Sequence, residues 1–144
     1  MKVILISDSY GFLIGKVLQS LETEFIEKLK TFEITARQYG VLIKINEQGN
    51  LSQKEIAVEL KIDRTTMVEH AELLESLNYI TRVRNLKDKR TYCLNLTDQG
   101  REVLEKCWRL LQQAENHVLS SLSDDEKSDF KKYLLKIYNT RRNV

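Results

Sequence analysis

The sequence predicts a mainly α-helical protein with one small β-hairpin, and three observations predict it. Capping signatures recur at Thr35–Gln38, Ser52–Glu55 and Ser123–Glu126, each ahead of apolar residues at helical spacing. Prolines are absent and glycines number five, so little interrupts those helices. Residues 79–84 and 91–96 instead carry the Tyr, Ile, Val and Thr texture of strands.

Taken in order, Ile14, Val17, Leu18, Leu21, Phe25, Ile26 and Leu29 form the stripe of an amphipathic helix between Tyr10 and Phe32. Such a stripe needs a partner surface. The Thr35–Gln38 box opens a helix over about 36–48, for which Gly49 is the expected left-handed stop. Ser52 opens the next, with Ile56, Ala57 and Leu60 inward. Asp63 caps a further helix with Met67, Ala71, Leu74 and Leu77 on its inner face. The second strand run places Tyr92, Leu94 and Leu96 on one face, and the loop between the runs, Asn85 to Arg90, is polar apart from Leu86. Helix, turn, helix and hairpin in that order define a winged helix-turn-helix. Thr97 can cap a long helix bearing Val103, Leu104, Trp108, Leu111 and Val118, and a last helix carries Phe130, Leu134 and Ile137. The expectation is a single domain over 1–144: helix-turn-helix 52–77, wing 79–96, and dimerisation helices at about 8–32 and 123–142. A monomer of this size would struggle to cover three peripheral stripes, so the first and last helices are expected to meet across a two-fold axis.

With 42% hydrophobic and 31% charged residues the chain reads as a globular, cytoplasmic protein. The apolar runs Val3–Ile6 and Phe12–Ile14 are interrupted by Asp8 and followed by Lys16, which makes neither a signal segment nor a membrane span. Cys93 and Cys107 lack Cys-x-x-Cys spacing and read as reduced thiols, and His70 and His117 fall on different helices without further ligands. No metal or cofactor is expected. Nor does any nucleophile elbow, phosphate loop or metal pair support an enzyme, so no catalytic residue is assigned.

A net charge of +2 says little until its distribution is read. From Arg82 to Thr91 the chain holds Arg82, Arg84, Lys87, Lys89 and Arg90 against Asp88 alone, a local charge of +4. An arginine at a hairpin tip suits a narrow minor groove, and the neighbouring Asp88 carboxylate can hold the Arg90 guanidinium in position. On the preceding helix Arg64, Thr65, Val68, Glu69 and Glu72 share one outward arc. Arg64 suits guanine or phosphate, Thr65 a base edge or phosphate, and Val68 a thymine methyl. Ser52, Gln53 and Thr66, near the two helix starts, complete the expected DNA-contacting set with Lys87, Lys89 and Arg90. The bland alternatives are a solvated helix face and a charged edge that only prevents aggregation.

Several runs then carry a resemblance: Thr35-Ala-Arg-Gln-Tyr39, Leu51-Ser-Gln-Lys-Glu-Ile-Ala-Val-Glu-Leu60, Asp63-Arg-Thr-Thr-Met67, Asp88-Lys-Arg90 and Leu96-Thr-Asp-Gln-Gly100. In order and spacing they resemble the MarR family of bacterial regulators, over nearly the whole chain. The resemblance implies a dimeric winged-helix repressor or activator on a pseudo-palindromic double-stranded DNA operator, with Arg90 in the minor groove and Asp88 supporting it. Two positions depart from it. Val68 stands where the family often has a small hydroxyl residue, and Glu69 where it often has a basic one. Across 51–79 six acids face three bases, which opposes non-specific affinity for DNA. Glu69 can instead accept from a cytosine amino group. Family members commonly bind small anionic or phenolic effectors between the winged core and the dimerisation helices. Some sense oxidants through a cysteine near the N-terminus, but this chain has none before Cys93, and its two cysteines read as small buried hydrophobes. The expected function is sequence-specific transcription regulation by a repressor that answers to a small molecule. The alternative is a winged-helix protein interaction module, which Glu69 and Glu72 favour and the basic wing opposes.

Overall fold

The computed structural model describes residues 1–142, so the last two positions of the expected 1–144 domain lie outside them. Helix α1 (Tyr10–Leu29) does not run on to Phe32. It tightens into a 3-10 turn over Lys30–Phe32, and Glu33 reverses the chain at φ 62°. Helix α2 (Ala36–Glu47) opens on the expected box: Thr35 Oγ1 accepts the Gln38 N–H at 3.2 Å, and Gln38 Oε1 accepts the Thr35 N–H at 2.9 Å. The same reciprocal pair, Ser52 with Glu55 at 3.0 and 2.9 Å, opens α3 (Gln53–Leu60). Asp63 opens α4 (Arg64–Ser76) by accepting both the N–H and the hydroxyl of Thr66, at 3.0 and 2.7 Å. Each cap satisfies orphan N–H groups and contributes on the order of 1 kcal/mol.

The turns depart from expectation. Gly49 is not the left-handed stop: α2 leaves through an extended Gln48, and Asn50 makes the reversal at φ 62°. Lys61 (φ 54°) and Asn78 (φ 62°) end α3 and α4 in the same way. There the Ile62 and Tyr79 N–H groups reach back to the Ala57 and Leu74 carbonyls at 2.9 and 3.0 Å. Strands β1 (Ile80–Arg84) and β2 (Tyr92–Leu96) pair antiparallel, Ile80 opposite Leu96 and Arg84 opposite Tyr92. An unexpected third segment joins them, for the Leu94 N–H donates to the Leu51 carbonyl at 3.1 Å and Ser52 bridges Cys93. The start of α3 is thereby stitched to the wing.

Two compact units divide the fold. Glu22–Leu111 contains the winged core, whose interior is filled by Leu29, Tyr39, Leu42, Ile56, Met67, Leu74, Ile80 and Leu94. Tyr39 meets Phe25 edge-on, 5.6 Å between ring centres, and donates its hydroxyl to the Leu104 carbonyl at 3.1 Å. Helix α5 (Asp98–Val118) starts hard against the Tyr79 turn. Thr97 Oγ1 accepts the Gly100 N–H at 2.9 Å and donates to the Asn78 carbonyl at 2.6 Å, while the Thr97 N–H donates to the Tyr79 carbonyl at 3.0 Å. A Cβ on Gly100 would stand 1.9 Å from that Tyr79 oxygen, so only glycine fits. Further along α5, Cys107 is fully buried, and desolvation pushes its thiol up to about 11.

The second unit comprises Met1–Leu21 and the chain from Gln112 onward. Its last helix, α6 (Asp124–Arg142), opens on the Ser123–Glu126 box at 3.1 and 2.9 Å. Large apolar side chains stand exposed in this unit: Phe12, Ile14 and Leu18 on α1, and Tyr133, Leu134, Ile137 and Tyr138 on α6. No helix among the described residues is long and apolar enough to cross a membrane.

Candidate nucleic-acid interface

Helix α4 buries Met67, Ala71 and Leu74 and turns Arg64, Thr65, Glu69 and Glu72 to solvent, with Val68 half-buried at the margin. A polar contact from α2 reaches it, and α2 is itself tied to α3. Lys44, 6% exposed, places its ammonium against the Glu59 carboxylate of α3 and within 3.5 Å of Glu47. Those two acids raise its pKa above the ordinary lysine value although burial opposes it. Gln38 of α2 meets His70 of α4, with Nε2 3.2 Å from Nδ1.

Two of the expected contacts are otherwise engaged. Ser52 is 5% exposed, its hydroxyl taken by the Glu55 N–H, and it builds the α3 start rather than facing outward. The Thr66 hydroxyl donates to Asp63, and the residue as a whole is half-exposed. Gln53 is half-buried, with Oε1 enclosed and unbonded. Arg64, Thr65 and Glu69 remain open.

The wing is a braced loop. Asn85 Oδ1 accepts the Lys87 N–H at 2.9 Å, Asp88 Oδ1 accepts the Arg90 N–H at 3.1 Å, and the Asn85 N–H donates to the Thr91 carbonyl at 2.9 Å. The Asp88 carboxylate then receives Nε and Nη2 of Arg90 at 3.0 and 3.3 Å. This fork leaves the Arg90 side chain 91% exposed yet fixed in direction. The Arg90 side chain, then its N–H, and then the charge of Lys54 hold the Asp88 carboxyl below its ordinary pKa. Lys54, exposed on α3, thus adds positive charge on the side of the wing where Asp88 stands. Lys54 is absent from the DNA-contacting set expected from the sequence, although Ser52 fixes the helix start and so sets Lys54 in its first turn.

Not all of the wing's positive charge faces outward. The Arg82 guanidinium pairs with Glu75 of α4 at 3.0 Å, and it and the Arg84 guanidinium both lie over the Tyr92 ring, at 5.0 and 5.1 Å from its centre. Arg84 also donates to the Lys89 carbonyl. Arg82 therefore ties the wing to α4, and its charge is largely neutralised there. Among the described residues no group of three His, Cys, Asp or Glu side chains is arranged to hold a metal ion.

A family model described as transcriptional regulator SarA/Rot matches residues 24–107, the segment that contains this helix pair and wing. The regulator BilQ of Clostridium symbiosum is 33% identical over 69% of this chain and 69% of its own. The chain belongs to the MarR family of transcriptional regulators. The MarR-family relatives include BilQ of Clostridioides difficile, 28% identical over 88% of this chain and 86% of its own. A mutant MarR of Escherichia coli, solved in complex with operator DNA, superposes with a TM-score of 0.78 at 27% identity, covering 94% of this chain and 99% of that one. Like them, this MarR-family chain is a regulator by fold and family, and not an enzyme.

Proposed function

We propose that the chain binds a double-stranded DNA operator as a homodimer, with the first turns of α4 in the major groove and the 85–90 loop over the minor groove. The observation that carries this reading is Arg90, fully extended to solvent and aimed by the Asp88 fork, beside a capped α4 that presents Arg64 and Thr65. Arg64 contacts guanine or phosphate, Thr65 a base edge or phosphate, Val68 a thymine methyl, and Glu69 a cytosine amino group. Gln53 and the outer face of Thr66 contribute at the two helix starts, and Ser52 acts through the cap it builds. Lys54, Lys87 and Lys89 supply phosphate contacts. The exposed apolar residues of α1 and α6 support the two-fold contact, which leaves the 144 residues as one functional domain and sets half-sites about one helical turn apart. A small-molecule effector and a cytoplasmic location complete the reading, both on the family resemblance; repression is its expected sign.

The test is binding to a promoter fragment from the protein's own locus, wild type against Arg90→Ala, across a salt series. Salt-sensitive, sequence-selective binding that the substitution weakens supports the reading. Equal binding by both proteins removes the wing from it, and absence of binding at any salt concentration favours a protein interaction module.

A further inference from the structure

We propose that Gln38 and His70 form an acid-sensitive latch between α2 and α4, closed while His70 is neutral and opened by its protonation. The inference rests on α4 being the helix that enters DNA, as proposed above.

The geometry fixes every polar atom involved. Gln38 is buried, and its Oε1 is committed to the Thr35 N–H at 2.9 Å, so its Nε2 faces His70 Nδ1 at 3.2 Å. An amide nitrogen only donates. Nδ1 must therefore accept, and the single proton of the neutral ring sits on Nε2, which is enclosed without a hydrogen-bond partner. Protonation would place an N–H on Nδ1 against the amide N–H of Gln38, donor facing donor, and would leave neither ring nitrogen with an acceptor. The capping box cannot rotate the Gln38 amide to relieve this without losing its hold on Thr35. Charged groups act on the ring from both sides: Arg37 of α2 disfavours the imidazolium, while Glu69 and Asp63, on α4 and at its cap, favour it. Burial first, and Arg37 next, outweigh the two acids and hold the His70 pKa below its ordinary value. In a chain with only two histidines, the one on α4 is thus built to stay neutral.

Gln38→Glu provides the decisive variant. Glutamate keeps the capping box, because one carboxylate oxygen still accepts the Thr35 N–H, but the other now presents an acceptor to Nδ1. The latch is then inverted. The experiment is an NMR titration of the two imidazoles in the free protein, with His117 as internal comparison, alongside operator affinity at about pH 7.5 and about pH 5.5. In wild type His70 should titrate below the ordinary histidine range with its proton on Nε2, and in Gln38→Glu above it. Acidification should weaken wild-type binding more than it weakens His70→Leu, by a few-fold and by less than about tenfold because a ring that titrates below its ordinary value is only partly protonated at about pH 5.5, and should not do so for Gln38→Glu. Titration of His70 at or above the ordinary value in wild type, or an unmoved value in Gln38→Glu, overturns the latch. Ring titrations as expected with pH-dependent affinities identical to those of His70→Leu overturn its link to α4. Should no variant bind DNA at either pH, the DNA reading fails, and the ring titrations alone still decide the latch.

Discussion

Replacing Gly100 by alanine sets helix propensity against packing, and the structure says which wins. In an open helix the change should stabilise by up to about 1 kcal/mol, since glycine has more backbone freedom to lose. At this position the new Cβ would lie 1.9 Å from the Tyr79 carbonyl oxygen and 2.9 Å from its carbon, distances that real Cβ atoms do not adopt. Either α5 or the Tyr79 turn must retreat by roughly an ångström, an overpacking displacement that costs about 1–3 kcal/mol. The retreating carbonyl also accepts the Thr97 N–H at 3.0 Å, and the Thr97 hydroxyl anchors the same turn at 2.6 Å. Weakening those bonds costs about 1 kcal/mol each. We expect Gly100→Ala to destabilise by about 2–4 kcal/mol after the propensity gain is subtracted. Gly40, inside α2 with nothing within 4 Å of its built Cβ, is the control, and alanine there should stabilise by about 0.5–1 kcal/mol. Urea unfolding at fixed protomer concentration reads both. A neutral or stabilising Gly100→Ala beside a stabilising Gly40→Ala would refute the packing argument.

Further outcomes follow from the same structure. Cys107, fully buried with its thiol pushed up to about 11, should resist alkylation at neutral pH in the folded protein and react once unfolded, as timed mass spectrometry would show; prompt native-state labelling would contradict its burial. Glu69→Gln should relax operator preference at one base pair per half-site while changing total affinity little; an unchanged preference in a selection from randomised sites rules out the cytosine contact. The Asp63 carboxyl is held below its ordinary pKa by the Thr66 hydroxyl and then the Thr66 N–H. Its folded value is depressed, so its stabilisation is present above the unfolded carboxyl pKa of about 4 and is lost as pH falls through the folded value. Asp63→Asn should therefore flatten part of the acid limb of a stability-against-pH curve and leave the alkaline limb unchanged.

The elements were legible because their signals are local. Thr35, Ser52, Asp63, Thr97 and Ser123 each cap the helix they mark, and both strands fall within a residue of the runs that announce them. What escaped sequence reading depends on the third dimension. Gly49 looked like the stop for α2, but the reversals use Asn50, Lys61 and Asn78, whose left-handed backbones are imposed by the packing of the helices they join. Lys44 gives no sign in the sequence of being buried, because its partner Glu59 lies fifteen residues away on another helix. The wing's +4 is a correct sum and an incomplete picture: Arg82 folds onto Glu75 and Tyr92, while the charge of Lys54 on α3 acts on Asp88. The hydroxyls of Ser52 and Thr66, residues that the sequence marks only by their place at helix starts, are held by the caps that make those starts.

The most direct test of α4 in the major groove and the wing over the minor groove is groove-resolved footprinting on the operator. Purine N7 methylation reads the major groove, and competition by a minor-groove ligand reads the other. Expected are two patches of N7 protection about one turn apart, with the minor-groove ligand displacing wild type far more readily than Arg90→Ala. Protection without any competition, or competition that Arg90→Ala leaves unchanged, would contradict the placement of the wing; absence of N7 protection would contradict that of α4.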